Sequence, residues 1–192
     1  MHIGVDLDEV LAETVVEVLK FHDHKIWWKN ILLEDINDYC VWNIPWVHIT
    51  QEEAISFFKD FFVKWDINQI KPVLWAKEQL DFLKSKWFET TVITARRIEL
   101  KEYTLKWLDR HYEWLFQNVY FAEHFTDNHK DKSEICIENG IQYMIEDNFE
   151  YALDTANAGI KTFLIERPWN RHIIHEHKNI ERVQGWQDIK IG

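Results

Sequence analysis

The sequence predicts an α/β fold: a five-stranded parallel sheet with helices on both faces and a small helical unit inserted after the first strand. Three observations point there. The chain opens on a short apolar run that ends in carboxylates, at Ile3 to Asp8. From Pro72 onward, helix-period and strand-like apolar segments alternate, as βα units do. Between these parts, over residues 22–71, that alternation stops.

Each element can be justified in order. Ile3 and Val5 supply a first strand over residues 3–7, and Gly4 admits close approach of neighbouring backbone. Leu11, Val15, Val18 and Leu19 form one stripe, which predicts a helix over 10–21. In the insertion one element is well marked. Thr50 and Glu53 make a capping-box pattern, and Ala54, Phe57, Phe58, Phe61, Phe62 and Trp65 follow at helical spacing. This stripe reads as packing between helices of the insertion rather than as substrate contact. Pro72 suits the first turn of a helix running to 87, with a strand at 90–94 behind it. Helices at 100–112, 132–138 and 151–156 then alternate with strands at 119–121, 141–145 and 162–165. Gly140 and Gly159 stand where a helix must stop before the next strand. The expected division is a core of residues 1–21 with 72–192, and an inserted cap of 22–71.

Composition narrows the function. With 192 residues, 46% of them hydrophobic, and 11 Trp, the chain can bury a full core plus an accessory unit. A net charge of −11 disfavours binding to a nucleic-acid backbone or an anionic membrane, both of which need a positive field. Cys40 and Cys136 are isolated, with no disulfide framework, and MHIGVDLDEV lacks the basic start and apolar stretch of a secretory leader. A reducing, cytoplasmic setting is therefore expected, and no apolar run is long enough to span a bilayer.

Asp6 and Asp8 are two residues apart, so on an extended chain their side chains share one side. At about 4 Å and an effective dielectric near 20 such a pair repels by roughly 4 kcal/mol, which a dication or a shared proton would offset. The plainer alternative is that both merely close a strand, as Asp often does at turns and caps. Three further segments weigh against it. TTVITARR ends an apolar run at Thr94, NHKDKSEIC presents Lys132, and IQYMIEDN ends in Glu146 and Asp147. Ligands of open α/β sheets bind outside the carboxyl ends of the strands, so these deliveries converge on one rim.

An N-terminal strand ending in DxDxV, then a Thr, a Lys and an acidic pair, in that order over nearly the whole chain, resembles the haloacid dehalogenase superfamily of phosphatases. DLDEVLAE followed by a helical insertion and a late IEDN is most similar to the 5′(3′)-deoxyribonucleotidase family and its uncharacterised bacterial relatives. The resemblance implies a Rossmann-like core and a Mg²⁺-dependent phosphomonoesterase acting on nucleoside or deoxynucleoside 5′-monophosphates. It implies Asp6 as the nucleophile that forms an aspartyl-phosphate and Asp8 as the acid and then base. Thr94 would hydrogen-bond a phosphoryl oxygen, and Lys132 would pair with Asp6 and the phosphate. Lys130, two residues away, competes for that role, but the DKS context favours Lys132. The metal would be held by the Asp6 carboxylate, the Asp8 backbone carbonyl and Asp147, an oxygen set that suits Mg²⁺ over zinc. Glu146 would stand behind it, where Asp is more usual, a departure that touches the outer metal geometry and not the reaction class.

The insertion carries Trp27, Trp28, Tyr39, Trp42 and Trp46, and aromatic faces can stack on a base at about 1–3 kcal/mol. Yet the insertion is hardly richer in aromatics than the rest of the chain. Other readings are a phosphatase of another small metabolite, a phospholigand-binding relative without turnover, or a phospho-accepting signalling domain. The last carries its acidic pair early, whereas here it comes last. His172, His175 and His177 in RHIIHEH match no zinc spacing and read as a solvated face, as do His22 and His24. Of Arg96 and Arg97, one is expected to face the substrate and the other solvent. Trp169 and Asn170 read as plain loop.

Overall fold

The computed structural model of the protein describes residues 1–25, 31–124 and 126–191. Trp27 and Trp28 lie outside the described residues, as does the side chain of His24. The first half holds β1 (His2–Val5), α1 (Thr14–Lys25), α2 (Gln51–Lys64), α3 (Ala76–Ser85), β2 (Glu89–Thr94) and α4 (Lys101–Tyr112). The second holds β3 (Asn118–Phe121), α5 (Lys132–Glu138), β4 (Tyr143–Glu146), α6 (Phe149–Asn157), β5 (Lys161–Ile165) and β6 (Ile180–Val183).

The six strands form one sheet in the order β3-β2-β1-β4-β5-β6, and every neighbouring pair is parallel. The expected sheet had five strands; β6 is the addition. From β1 the chain steps outward through β2 to β3, then returns to β1's other side for β4. The strand order therefore reverses between β1 and β4, which is where an open α/β sheet forms its crevice.

Alternation along each strand feeds two cores. Val5, Val92, Ile145 and Phe163 join a cluster with Leu80, Leu83, Trp107 and Tyr112 from α3 and α4. Their strand neighbours Ile93 and Met144 face the other way, against Ile135 and Cys136 of α5, and Leu164 meets Ala152 and Ala156 of α6. Helices thus cover both faces. Gly4 sits at the centre, where a Cβ would lie 2.8 Å from Met144 Sδ, 3.1 Å from Ile93 Cδ1 and 3.2 Å from Ile141 Cγ2. The close approach that it permits is by side chains, not by backbone. Gly140 and Gly159, just past α5 and α6, take positive φ of 63° and 90°, as a helix stop requires.

The boundaries that differ do so for local reasons. α1 begins at Thr14, not at residue 10, because residues 7–12 form a tight turn: Ala12 N–H donates to Leu7 O at 2.9 Å and Glu9 N–H to Ala12 O at 2.7 Å. Glu9 sits in this turn at φ 61°. Val10, Leu11 and Ala12 are buried in the main cluster, so the turn reads as the start of a helical stripe in the sequence. Pro72 likewise opens no helix. The returning chain runs antiparallel to the departing one, with Glu13 N–H donating to Lys71 O at 2.9 Å and Val73 N–H to Leu11 O at 2.8 Å. α2 carries the expected capping box, Glu53 N–H to Thr50 Oγ1 at 3.2 Å and Thr50 N–H to Glu53 Oε2 at 2.8 Å. Its Phe61 and Phe62 join the main cluster beside Phe21 and Ile70. Among the described residues no helix is long and apolar enough to cross a membrane.

Behind β6 comes Trp186, fully buried, whose indole N–H donates to Val10 O at 2.7 Å. It ties the last segment to the turn that carries the first carboxylates. Trp186→Ala is expected to cost about 3–5 kcal/mol, read as a lower midpoint in urea with an unchanged slope.

Candidate functional site

The rim above β1 and β4 gathers four of the residues singled out in the sequence. Asp6 continues the β1–β4 ladder one step past the strand, its N–H donating to Ile145 O at 2.9 Å. That register sets its carboxylate beside Glu146, the last residue of β4, and Asp147 follows. Ligand atoms of Asp6, Glu146 and Asp147 all lie within 4.8 Å of one another, and all three residues are buried. Lys132, the first residue of α5, reaches between them: Nζ lies 2.5 Å from Asp6 Oδ1 and 2.5 Å from Glu146 Oε1. Lys130 points elsewhere, to Glu138, and is part-exposed.

The free oxygens decide what else the cluster can hold. Glu146 is fully engaged, since Oε2 accepts the N–H groups of Asp147 at 2.7 Å and Asn148 at 3.3 Å. Asp147 Oδ2 accepts the Trp169 indole N–H at 3.0 Å, and Asn170 Nδ2 donates to Asp147 O at 2.7 Å. Both residues are buried, so the expectation of a plain loop is corrected: they fix the second acidic residue in place. Among the described residues no hydrogen bond reaches the second carboxylate oxygen of Asp6 or of Asp147. Were all three buried carboxylates ionised, they would outnumber the one ammonium, a balance that fits a hard dication bound through oxygen.

The electrostatics follow. Burial pushes the Asp6 carboxyl up to about 8 against the pull of Lys132, with Glu146 and Asp8 adding to the rise. Burial, then Glu146 and Asp6, hold Asp147 well above the ordinary carboxylate range. Burial opposes the charge on Lys132, but Asp6 and Glu146 outweigh it and keep the ammonium protonated.

Asp8 is held apart from this cluster by a separate cation. Arg96 grips it with both arms of the guanidinium, Nε to Oδ2 at 2.9 Å and Nη2 to Oδ1 at 2.6 Å, and Thr14 Oγ1 donates to Oδ1 at 2.5 Å. Burial pushes the Asp8 carboxyl up, yet the Arg96 charge and hydrogen bonds bring it below its usual value. Arg96 is itself fixed by Thr104 Oγ1 at 3.0 Å and lies over the Phe62 ring at 4.5 Å. Arg97 is the exposed member of the pair, bound to Glu99 at 3.0 Å. Thr94, at the end of β2 one strand over, is buried, and its Oγ1 accepts Arg96 N–H at 3.2 Å.

Two contributors, Glu9 and Tyr151, carried no sequence signal beyond residue type, and Tyr39 is one of the insertion aromatics named from the sequence. Glu9 Oε1 accepts Val15 N–H at 2.6 Å and so caps α1, while burial pushes its carboxyl up to about 7. Tyr151 on α6 lays its ring over Lys132 Nζ at 4.6 Å. Tyr39 reaches in from the insertion, its ring edge-on to Tyr151 at 6.0 Å and its hydroxyl hydrogen-bonded to it. Of the other insertion aromatics described, Trp42 is half-buried and Trp46 exposed. In the stretch before β6, the His175 ring lies 5.6 Å from Phe149.

No family model matches the chain. It is 29% identical over 198 residues to YqfW of Bacillus subtilis (strain 168), a protein provisionally named a nucleotidase, with 97% of this chain and 90% of that protein covered. Among solved structures it superposes on a family IA, variant 3 haloacid dehalogenase hydrolase of Entamoeba histolytica HM-1:IMSS. That match has a TM-score of 0.64 at 15% identity, over 99% of this chain and 95% of the other. CbbY of Rhodobacter sphaeroides, solved in complex with phosphate, gives a TM-score of 0.60 at 14% identity over 97% and 95%. These likenesses show the fold: the chain has the fold of the haloacid dehalogenase superfamily of hydrolases.

Proposed function

We propose that this chain is a Mg²⁺-dependent phosphomonoesterase that hydrolyses nucleoside or deoxynucleoside 5′-monophosphates through an aspartyl-phosphate. One observation carries the reading: Asp6 stands at the strand-order reversal, bound to Lys132 and within 4.8 Å of the carboxylates of Glu146 and Asp147. A nucleophile, a fixed cation and spare acidic ligands then share one small space. The nucleotide part is supported by the name of the B. subtilis relative.

In this reading the second carboxylate oxygen of Asp6 attacks phosphorus, and Lys132 and Thr94 neutralise or hydrogen-bond phosphoryl oxygens. Asp6 and Asp147, with the Asp8 backbone carbonyl, would hold the ion, and Glu146 would anchor Lys132 and Asp147 from behind. Bound there, Mg²⁺ would screen the negative charge of carboxylates and phosphate alike. Asp8 serves as the proton carrier. With both oxygens accepting from Arg96 it is in its ionised form, the form that can deprotonate water in the second step. The proton that it takes from water in the second step stays on Asp8 with one arm of that fork open, and is the proton given to the leaving alcohol in the first step of the next turnover. The residues between Phe21 and Pro72 would act as a cap over the bound substrate.

Hydrolysis of an aryl phosphate is expected to require Mg²⁺ and to stop on chelation. Asp6→Asn should lower kcat at least about a thousandfold while leaving the thermal midpoint within a few degrees, since it removes the nucleophile and not the fold. Normal turnover in that variant would refute the covalent route. Asp8→Asn should lower kcat and still show Mg²⁺-induced stabilisation, because its backbone carbonyl remains; loss of that stabilisation would contradict the division of roles.

Proton linkage gives a second test. Because the folded protein holds protons on Asp6 and Asp147 that the unfolded chain releases near pH 4, the metal-free protein should lose stability as pH rises from about 4 to about 8. A dication binds the ionised forms, so the rise in thermal midpoint on adding Mg²⁺ should be larger at pH 8 than at pH 6. Scanning fluorimetry with and without Mg²⁺ across that range measures both slopes, and a Mg²⁺ effect that shrinks with pH would contradict the site.

A further inference from the structure

Lys132 has no N–H to spare. An ammonium carries three donors, and among the described residues three partners surround this one. Asp6 Oδ1 and Glu146 Oε1 each lie 2.5 Å from Nζ, and the ring of Tyr151 lies over it at 4.6 Å. The side chain is buried, so solvent supplies nothing further. A phosphoryl oxygen that hydrogen-bonds to Lys132 must therefore take the place of one partner. Two of them are charge-assisted hydrogen bonds, and the Glu146 one is backed by the Asp147 and Asn148 N–H groups on its other oxygen. The third is a neutral π face, the weakest hold of the three. It is also the easiest to withdraw. Asp6 and Glu146 are fixed by the sheet, whereas Tyr151 is part-exposed in the first turn of α6, and rotation about its own side-chain bonds carries the ring off the ammonium.

Two further rings set how firmly the face stays in place. His124 stands nearly at right angles to the Tyr151 ring, 5.3 Å between centroids, and Tyr39 of the insertion does so at 6.0 Å. Burial pushes His124 down to about 4, so near pH 7 it is a neutral ring and not a second cation on the π face. Tyr39 is 40% exposed and ties Tyr151 to the insertion. We propose that Tyr151 is a positioning residue for Lys132: its ring holds the third side of the ammonium in the free protein, a phosphoryl oxygen binds by displacing it, and Tyr39 resists that displacement. The proposal rests on the phosphoryl-binding role of Lys132 given above and adds a residue that acts through it. Only the fraction of molecules with the ring withdrawn is competent to bind, and affinity at the phosphoryl end is reduced by that fraction whatever alcohol the ester carries.

Inorganic phosphate tests this without turnover. Its Kd, measured by titration calorimetry with Mg²⁺ present, should be about fivefold lower for Tyr151→Leu than for the wild type, since Leu fills the space and offers no π face. That factor corresponds to about 1 kcal/mol, the strength of a cation–π contact. Tyr151→Phe keeps the face and should stay within about twofold of the wild type. Tyr39→Leu should lower Kd about two- to threefold, and adding it to Tyr151→Leu should change nothing more, because Tyr39 acts only through the ring. Lost packing alone weakens binding, so tighter binding on truncation is not the mark of a merely structural role. An unchanged or higher Kd in Tyr151→Leu would overturn the proposal, as would Tyr151→Phe shifting Kd as far as Tyr151→Leu does, or Tyr39→Leu adding its own gain in the double variant. Should Tyr151→Leu fail to fold, Tyr39→Leu decides, and an unchanged Kd there overturns the role of the ring. Hydrolysis of an aryl phosphate by the wild type separates the two readings. With hydrolysis intact, a contrary Kd pattern removes the role of Tyr151 alone; neither hydrolysis nor phosphate binding removes both.

Discussion

A buried ammonium held between two carboxylates organises the functional end of this molecule. Lys132 Nζ sits 2.5 Å from both Asp6 and Glu146, and all three are buried. Removing such charges from water costs several kcal/mol each unless partners replace the lost hydration. The arrangement therefore constrains its surroundings: α5 must begin where its first residue can reach across to β1, β4 must end level with Asp6, and the Glu146 oxygen turned away from Lys132 must find donors. It finds them in the Asp147 and Asn148 backbone at the start of α6. Three elements are thereby locked in mutual register by one side chain.

A second, independent clamp sets Asp8 apart. Arg96 holds it by two hydrogen bonds, and the guanidinium rests on Phe62 of α2. Two aspartates separated by a single residue are thus given different cations, one buried with Lys132 and one drawn toward the insertion. Their carboxyls accordingly move in opposite directions, Asp6 upward and Asp8 downward. The repulsion that their spacing implies is relieved by turning them to different partners.

Much of this was legible in the sequence, for identifiable reasons. Strand-terminal polar residues after apolar runs marked Asp6, Thr94, Glu146 and Asp147, because a parallel sheet buries its strands and leaves their carboxyl ends to the ligand. The capping box at Thr50 was legible because cap chemistry is local. β6 was not. Its Ile180 and Val183 are buried while Glu181 is exposed, so no period of two shows, yet its Arg182 binds Asn170 at 2.7 Å and Ile173 O at 2.8 Å and so steadies the loop on Asp147. Trp169 and Asn170 were missed for the same reason: burial of a loop residue is decided by tertiary contacts that leave no local pattern. The choice between Lys130 and Lys132 rested on motif context alone, since two lysines two residues apart before a helix differ only in which way the first turn points them.

The antiparallel contact between residues 11–13 and 71–73 has a bearing on how such a chain is assembled. Because the chain leaves at residues 11–13 and returns at 71–73, and every described strand lies outside residues 14–70, the intervening residues behave topologically as a single closed loop. Changing the length of such a loop alters the closure entropy only logarithmically, by about 0.6 kcal/mol per doubling. The same scaffold can therefore carry shorter or longer inserts at little conformational expense, provided that each supplies an apolar face like that of Phe61 and Phe62 to cover the helices and strands beneath.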